Sequence, residues 1–157
     1  MVLPSIHISL ADLSHIEDLK KLFNTYTLSF AHSINEKKQE FFLRDRIKKK
    51  DTIFYIAFLK ARGTNEAVGF LHLFSVFTPT SIKHSILIND LYVKKEYRKI
   101  GVAQELIRKA VDYGNTSGAD DIITSAPFEN FPFQKLLHKL EFKRLPLHYF
   151  SKNIHIA

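Results

Sequence analysis

The stretch "LYVKKEYRKIGVAQELI", residues 91–107, passes from an apolar, strand-like run through a basic turn into a helical pattern. Lys94, Lys95, Arg98 and Lys99 crowd the turn, and Gly101 stands where the helix begins. At such a junction the helix N-terminus offers unpaired backbone N–H groups and the positive end of its dipole. A phosphate is well held there, and a glycine lets the backbone approach it closely. Charge-assisted hydrogen bonds contribute roughly 1.5–3 kcal/mol each, so a few would hold a diphosphate. A plain solvated basic turn is the competing reading of the same spacing.

The neighbouring segments place this junction in a larger pattern. "SILINDLYV" (85–93) is the most strand-like run in the chain. "VAQELIRKAVDYG" (102–114) sets Val102, Leu106, Ala110 and Tyr113 along one helical face and stops between Gly114 and Gly118. "DDIITSA" (120–126) is a further strand, so residues 85–125 form a β-α-β unit whose strands run parallel. Upstream, "SIHISLA" (5–11) alternates as a strand, and Asp12 or Ser14 caps a helix carrying Ile16, Leu19, Leu22 and Phe23. "NEKKQEFFLRDRIKKK" (35–50) reads as a second helix with Phe41, Phe42 and Ile47 inward. "TIFYIAFLK" (52–60) and "AVGFLHLFSVF" (67–77) are strands joined by the turn "ARGTNE". Downstream, "FPFQKLLHKL" (131–140) is a helix with Pro132 in its first turn, and "FKRLPLHYFSKNI" (142–154) a terminal strand or hairpin. The predicted order is βααβββαβαβ, without repeat or linker, so residues 1–157 read as a single domain.

Composition narrows the functions available. The 157 residues include no cysteine, which excludes disulfides, thiolate ligands and a cysteine nucleophile. No apolar run approaches the length of a membrane span, and the N-terminus does not read as a signal peptide. Cytoplasmic residence fits these features. A net charge of +7 favours an anionic partner. The lysines are scattered, however, and no nucleic-acid-binding signature is present. A G-x-G-x-x-G after a strand and a G-x-x-x-x-G-K-[ST] loop are both absent, excluding the common dinucleotide and P-loop sites. The histidines show no metal-ligand spacing, so no metal is expected.

"RKIGVA" (98–103) resembles the [RQ]-x-x-G-x-[GA] acyl-CoA loop of the GNAT superfamily of N-acetyltransferases. "ILINDLYV" is similar to the "LNDLFV" strand of many bacterial members, and "TSAPFENFPFQKLLHKLEF" to the family's strand, asparagine, helix and closing segment. The likeness covers nearly the whole chain. It implies an α/β (α+β) GNAT fold: a mixed, mostly antiparallel sheet with a parallel β-α-β unit at the acyl-CoA loop and helices on both faces. It implies that acetyl-CoA donates to a primary amine, small or on a protein, and that two copies can form a homodimer. A GNAT-fold module that binds acyl-CoA with weak or no catalysis is the alternative.

Residue by residue, the resemblance implies that Arg98, Lys99, Ile100, Gly101, Val102 and Ala103 form the phosphate loop. Leu91, Tyr92 and Val93 would lie along the pantetheine arm, paired as if with another strand. Asn130 would contact the cofactor, cap a helix, or do both. Without cysteine, the amine attacks the thioester directly, which requires a base, a polarised carbonyl and a proton for the thiolate. Asp90 is the base candidate, with Asn89 beside it where relatives commonly carry glutamate. Strand alternation puts the two on opposite faces unless a bulge intervenes, and a purely structural Asp90 paired with lysine or arginine is the other reading. Leu137 occupies the place of the family's common tyrosine acid, and Glu141 that of its glycine. Tyr149 is a substitute donor or a core residue. Tyr26, Ser29, Phe30, His32 and Glu36 fall where the family builds its acceptor pocket.

Overall fold

The structure is a computed structural model and describes residues 4–31 and 33–154. The chain forms two compact units, one ending at Ser125 and one beginning at Ala126. The first holds a five-stranded sheet in sequential order: β1 (Ser5–Leu10), β2 (Ile53–Ala61), β3 (Thr64–Thr78), β4 (Lys83–Val93) and β5 (Asp121–Thr124). The pairs β1–β2, β2–β3 and β3–β4 are antiparallel, and β4–β5 is parallel. Helices α1 (Ile16–Leu28) and α2 (Glu36–Lys49) join β1 to β2, and α3 (Val102–Ser117) joins β4 to β5. This is the mixed, mostly antiparallel sheet expected, with its one parallel unit at the basic junction.

Each sheet face buries its own core. Ile16, Leu19 and Leu22 of α1 and Leu43 of α2 pack on Phe54, Ile56, Phe70 and Tyr92. Val102, Leu106 and Ala110 of α3 pack on Val68, Leu71, Leu73, Ile86, Ile88 and Val93. Fully burying an aliphatic or aromatic side chain of this size stabilises by roughly 1.5–3 kcal/mol. The α3 stripe matches its expected face. In α2 the expected inward pair does not hold: Phe41 is 73% exposed, Phe42 is also exposed, and Leu43 is the residue in the core. Leu43 and Ile47, four apart, form the packed stripe, and the phenylalanines lie round the helix from it.

Among the described residues no helix is long and apolar enough to cross a membrane. The β2–β3 turn at Arg62 and Gly63 has positive φ at both residues, 46° and 81°, as a tight hairpin between right-twisted strands requires.

The second unit contains α4 (Phe131–Lys139), capped by Asn130, whose side chain accepts from the Phe133 N–H at 3.2 Å. Residues 142–154 are not a strand, contrary to the sequence pattern. A strand exists by pairing, and none is made there; Pro146 also lacks the N–H that a ladder position donates. Tyr149 therefore lies neither on a strand nor in a core, and is 79% exposed.

The end of α4 is a Schellman turn, with Phe142 N–H donating to Leu137 O at 2.9 Å and Glu141 N–H to His138 O at 3.0 Å. Glu141 takes the left-handed position with φ 66°, where a Cβ is costly and glycine is not. Replacing Glu141 by Gly should stabilise the protein by about 1 kcal/mol, read as a higher urea midpoint. An unchanged or lower midpoint would show that this turn carries no strain.

Candidate active site

The site starts from an irregularity in β4. His72 lies opposite Asp90, but the next β3 residue, Leu73, lies opposite Ile88, so Asn89 is an extra residue in β4. A bulge of this kind resets strand alternation. Ile88 belongs to the α3 face, whereas Tyr92, four residues on, belongs to the α1–α2 face. Asp90 is turned to that second face, and the Asn89 side chain bends toward it, Nδ2 donating to Asp90 Oδ2 at 2.8 Å. The bulge that would bring both residues together is present.

Three donors hold the Asp90 carboxylate. Tyr26 of α1 donates its hydroxyl to Oδ1 at 3.2 Å, while Asn89 and His72 Nδ1, at 3.1 Å, meet Oδ2. No lysine or arginine is among them, so the expectation of a structural lysine or arginine pair is not what the geometry gives. Burial alone pushes the Asp90 carboxyl up. The hydrogen bonds from His72, Asn89 and Tyr26, with the charge of His72, outweigh burial and hold it below the usual value. Its side chain is 24% exposed, so the carboxylate reaches solvent. Tyr26 is pushed up to about 12, first by burial and then by the charge of Asp90, so its phenol stays protonated as a donor. Around it stand Phe30, Phe70 and Tyr92, with ring centroids 5.2, 5.7 and 5.4 Å away.

β4 also has an open edge at this place. β5 pairs with residues 85–88 of β4 and ends at Thr124, whose hydroxyl closes the gap by donating to Ile88 O at 3.1 Å. From Asn89 to Val93, β4 therefore has no strand on that side among the described residues. An unpaired edge accepts a strand-like ligand through main-chain hydrogen bonds. Leu91, Tyr92 and Val93 occupy it, with Tyr92 and Val93 buried.

The basic loop divides its cations between structure and surface. Lys94 donates to Glu66 Oε1 at 2.7 Å and Tyr97 to Glu66 Oε2 at 2.6 Å, which ties the loop to β3. Arg98 Nε donates to Val93 O at 2.9 Å, which orients its guanidinium at the end of β4. Lys99 and Ile100 are exposed. Lys99 and Gly101 are left-handed, φ 65° and 97°, with Ile100 on the ordinary side between them. Alternation of this kind turns successive amides toward one concavity, an anion-binding nest. α3 begins at Val102 with Gly101 as its cap and no side-chain cap bond. The Val102 and Ala103 amides precede the first intrahelical bond, Glu105 N–H to Gly101 O at 3.0 Å. The nest and helix end together suit a diphosphate.

The remaining expected residues are distributed over both units. Asn130 and Tyr149 belong to the second unit. Ser29 Oγ is committed to Tyr26 O at 2.6 Å, Glu36 opens α2, and His32 lies outside the described residues. The residues that sequence reasoning missed are His72 and Thr52. The signal was a polar histidine in an otherwise apolar strand, "FLHLF".

The sequence profile of the Acetyltransferase (GNAT) family matches residues 16–142. The chain belongs to that family. As a member it is an acetyl-CoA-dependent N-acetyltransferase, with acetyl-CoA as the acyl donor. It is 28% identical over 114 residues to the uncharacterized N-acetyltransferase YhfO of Bacillus subtilis (strain 168), covering 73% of this chain and 74% of that one. The fold superposes on the crystal structure of a probable acetyltransferase with TM-score 0.84 and 25% identity, over 96% of this chain and 99% of that one. It also superposes on the aminoglycoside N-acetyltransferase AAC(6')-Iy in complex with CoA, TM-score 0.80 and 17% identity, over 98% of each. That last likeness is one of fold.

Gly101 has open space around it, the nearest atom to an added Cβ being Ile6 Cδ1 at 4.0 Å. Its φ of 97° is what excludes a side chain there. Gly101→Val should therefore distort the nest and weaken acetyl-CoA binding at least tenfold, as about 1–2 kcal/mol of left-handed strain or more is placed on the bound geometry. Calorimetry returning unchanged affinity would remove this loop from the donor site.

Proposed function

We propose that this acetyltransferase moves the acetyl group directly from acetyl-CoA to the nitrogen of a primary amine while both substrates are bound. The observation that carries the reading is the position of Asp90: an ionised carboxylate on the bulge of β4, reaching solvent, at the start of that strand's open edge. The donor brings an activated thioester. Everything else is the work of the chain.

Arg98, Lys99, Ile100, Gly101, Val102 and Ala103 hold the diphosphate, and the edge from Leu91 to Val93 aligns the pantetheine arm. The bulge takes the Asn89 backbone out of the ladder, which supplies a main-chain donor for the thioester carbonyl. Asn130 is proposed to contact the donor. The family match runs across both units, which supports residues 1–157 acting as one catalytic domain. Cytoplasmic residence and pairing of two copies belong to the same reading.

At the acceptor, magnitudes decide the role of Asp90. An alkylammonium holds its proton near pKa 10 and a carboxyl near 4. Asp90, held lower still, does not strip that proton in advance, since the gap amounts to about 8 kcal/mol. It binds the ammonium form, and the small neutral fraction attacks. Once acylated, the nitrogen is acidic, and Asp90 then takes its surplus proton. Turnover should therefore rise with pH as the neutral amine fraction grows. For the proton that the leaving thiolate needs, the candidates are Tyr149 and Tyr26; Tyr149→Phe and Tyr26→Phe, compared at kcat, separate them.

The acceptor wall of Tyr26 and Phe30 beside one carboxylate favours an amine with a single positive charge and an apolar body. A panel of phenethylamine, butylamine, spermidine, kanamycin and an alanyl peptide tests this by thiol release. Asp90→Asn should lower turnover of the best amine about a hundredfold and leave acetyl-CoA affinity within twofold. Equal activity would take Asp90 out of the reaction. Tight acetyl-CoA binding with no turnover of any amine would establish a binding module instead.

A further inference from the structure

Behind Asp90 the structure holds a titratable group that the reaction above does not use. His72 is 8% exposed at its side chain, yet both ring nitrogens have partners. Nδ1 lies 3.1 Å from Asp90 Oδ2, and Nε2 lies 2.6 Å from the Thr52 hydroxyl. Phe54 stacks on the ring, with centroids 4.5 Å apart and planes inclined by 12°. Ring plane and both nitrogens are thereby fixed. An ionised carboxylate can only accept, so Nδ1 carries the proton and Nε2 accepts from Thr52 when the ring is neutral.

We infer that His72 and Thr52 are positioning residues for the acceptor amine: Thr52 holds the far nitrogen of the His72 ring, and His72 aims the Asp90 carboxylate at the amine. The inference rests on Asp90 being the amine's partner, as proposed above. The hydrogen bonds from His72, Asn89 and Tyr26 occupy three of roughly four acceptor positions on a carboxylate. One direction on Oδ1 is left for the substrate.

Among the described residues, Tyr26 reaches this pair from α1, Thr52 from the residue before β2, Phe54 from β2, Phe74 from β3 and Asn89 from β4. These contacts hold the His72 ring, and through it the Asp90 carboxylate, in one orientation.

The test uses the whole protein at pH 8, with acetyl-CoA at saturation and phenethylamine as acceptor, and follows KM and kcat. His72→Ala, which removes the ring, should raise the amine KM about tenfold and leave acetyl-CoA affinity within twofold, and His72→Gln, which keeps a donor and an acceptor, should restore most of that loss. Thr52→Val, close in shape and safe for folding, should raise the amine KM several-fold at pH 8 and leave acetyl-CoA affinity within twofold. Nitrogen-15 spectra of the imidazole, which need no turnover, should show the Nδ1–H form with a hydrogen-bonded Nε2 in the unaltered protein, and the same tautomer without that hydrogen bond at Nε2 in Thr52→Val.

An Nε2–H ring in the unaltered protein, or an amine KM that His72→Ala leaves unchanged, overturns the inference. Absence of turnover with every amine would instead retire the reading of the site. In that case the ring spectra still decide whether Thr52 and Asp90 fix the imidazole.

Discussion

One extra residue in β4 organises the rest of this molecule. Without Asn89 standing outside the ladder, a strand that buries Ile88 under α3 would also turn Asp90 to that side, into an apolar core. A carboxylate there would be unpaired and costly. The bulge rotates it to the opposite face, where Tyr26, His72 and Asn89 satisfy it and solvent remains within reach. Sheet irregularity is thus the means by which a buried strand presents one charged group.

The same strand is the one proposed to align the donor. β5 stops opposite Ile88, one residue before the bulge, so the open edge and the reoriented carboxylate begin together. At the far end of that edge Arg98 is clamped to Val93 O and Lys94 to Glu66, which stiffens the turn leading to Gly101. Half of the conspicuous cations at this junction are thus structural. In the proposed donor site the main-chain nest and the helix end are the principal anion donors, preorganised so that they need no reordering when ligand arrives.

The architecture was legible in the chain because it rests on local periodicities. The α3 stripe, the alternation of β1 and the lone glycine at a strand-helix junction each have a short-range signature, and each appears in the structure. What the chain concealed depends on pairing between distant segments. No pattern within "ILIND" says that β3 will oppose it one residue out of step. Nor does "LHL" say that its histidine meets Thr52 and Asp90. Phe41 and Phe42 are bulky yet stand off the α2 packing stripe, which passes through Leu43 and the expected Ile47. The segment 142–154 has strand-like residues and still makes no strand. Composition alone supplies no hydrogen-bond partner.

The account stands on one spatial claim: donor and acceptor meet where β4 both bulges and loses its neighbour. A crystal structure of the protein with coenzyme A measures this directly. The account predicts a diphosphate on the amides of Gly101, Val102 and Ala103, a pantetheine arm along residues 91–93, and the sulfur against the bulge beside Asp90. Coenzyme A bound elsewhere, or an arm that leaves the sulfur remote from Asn89 and Asp90, would contradict it.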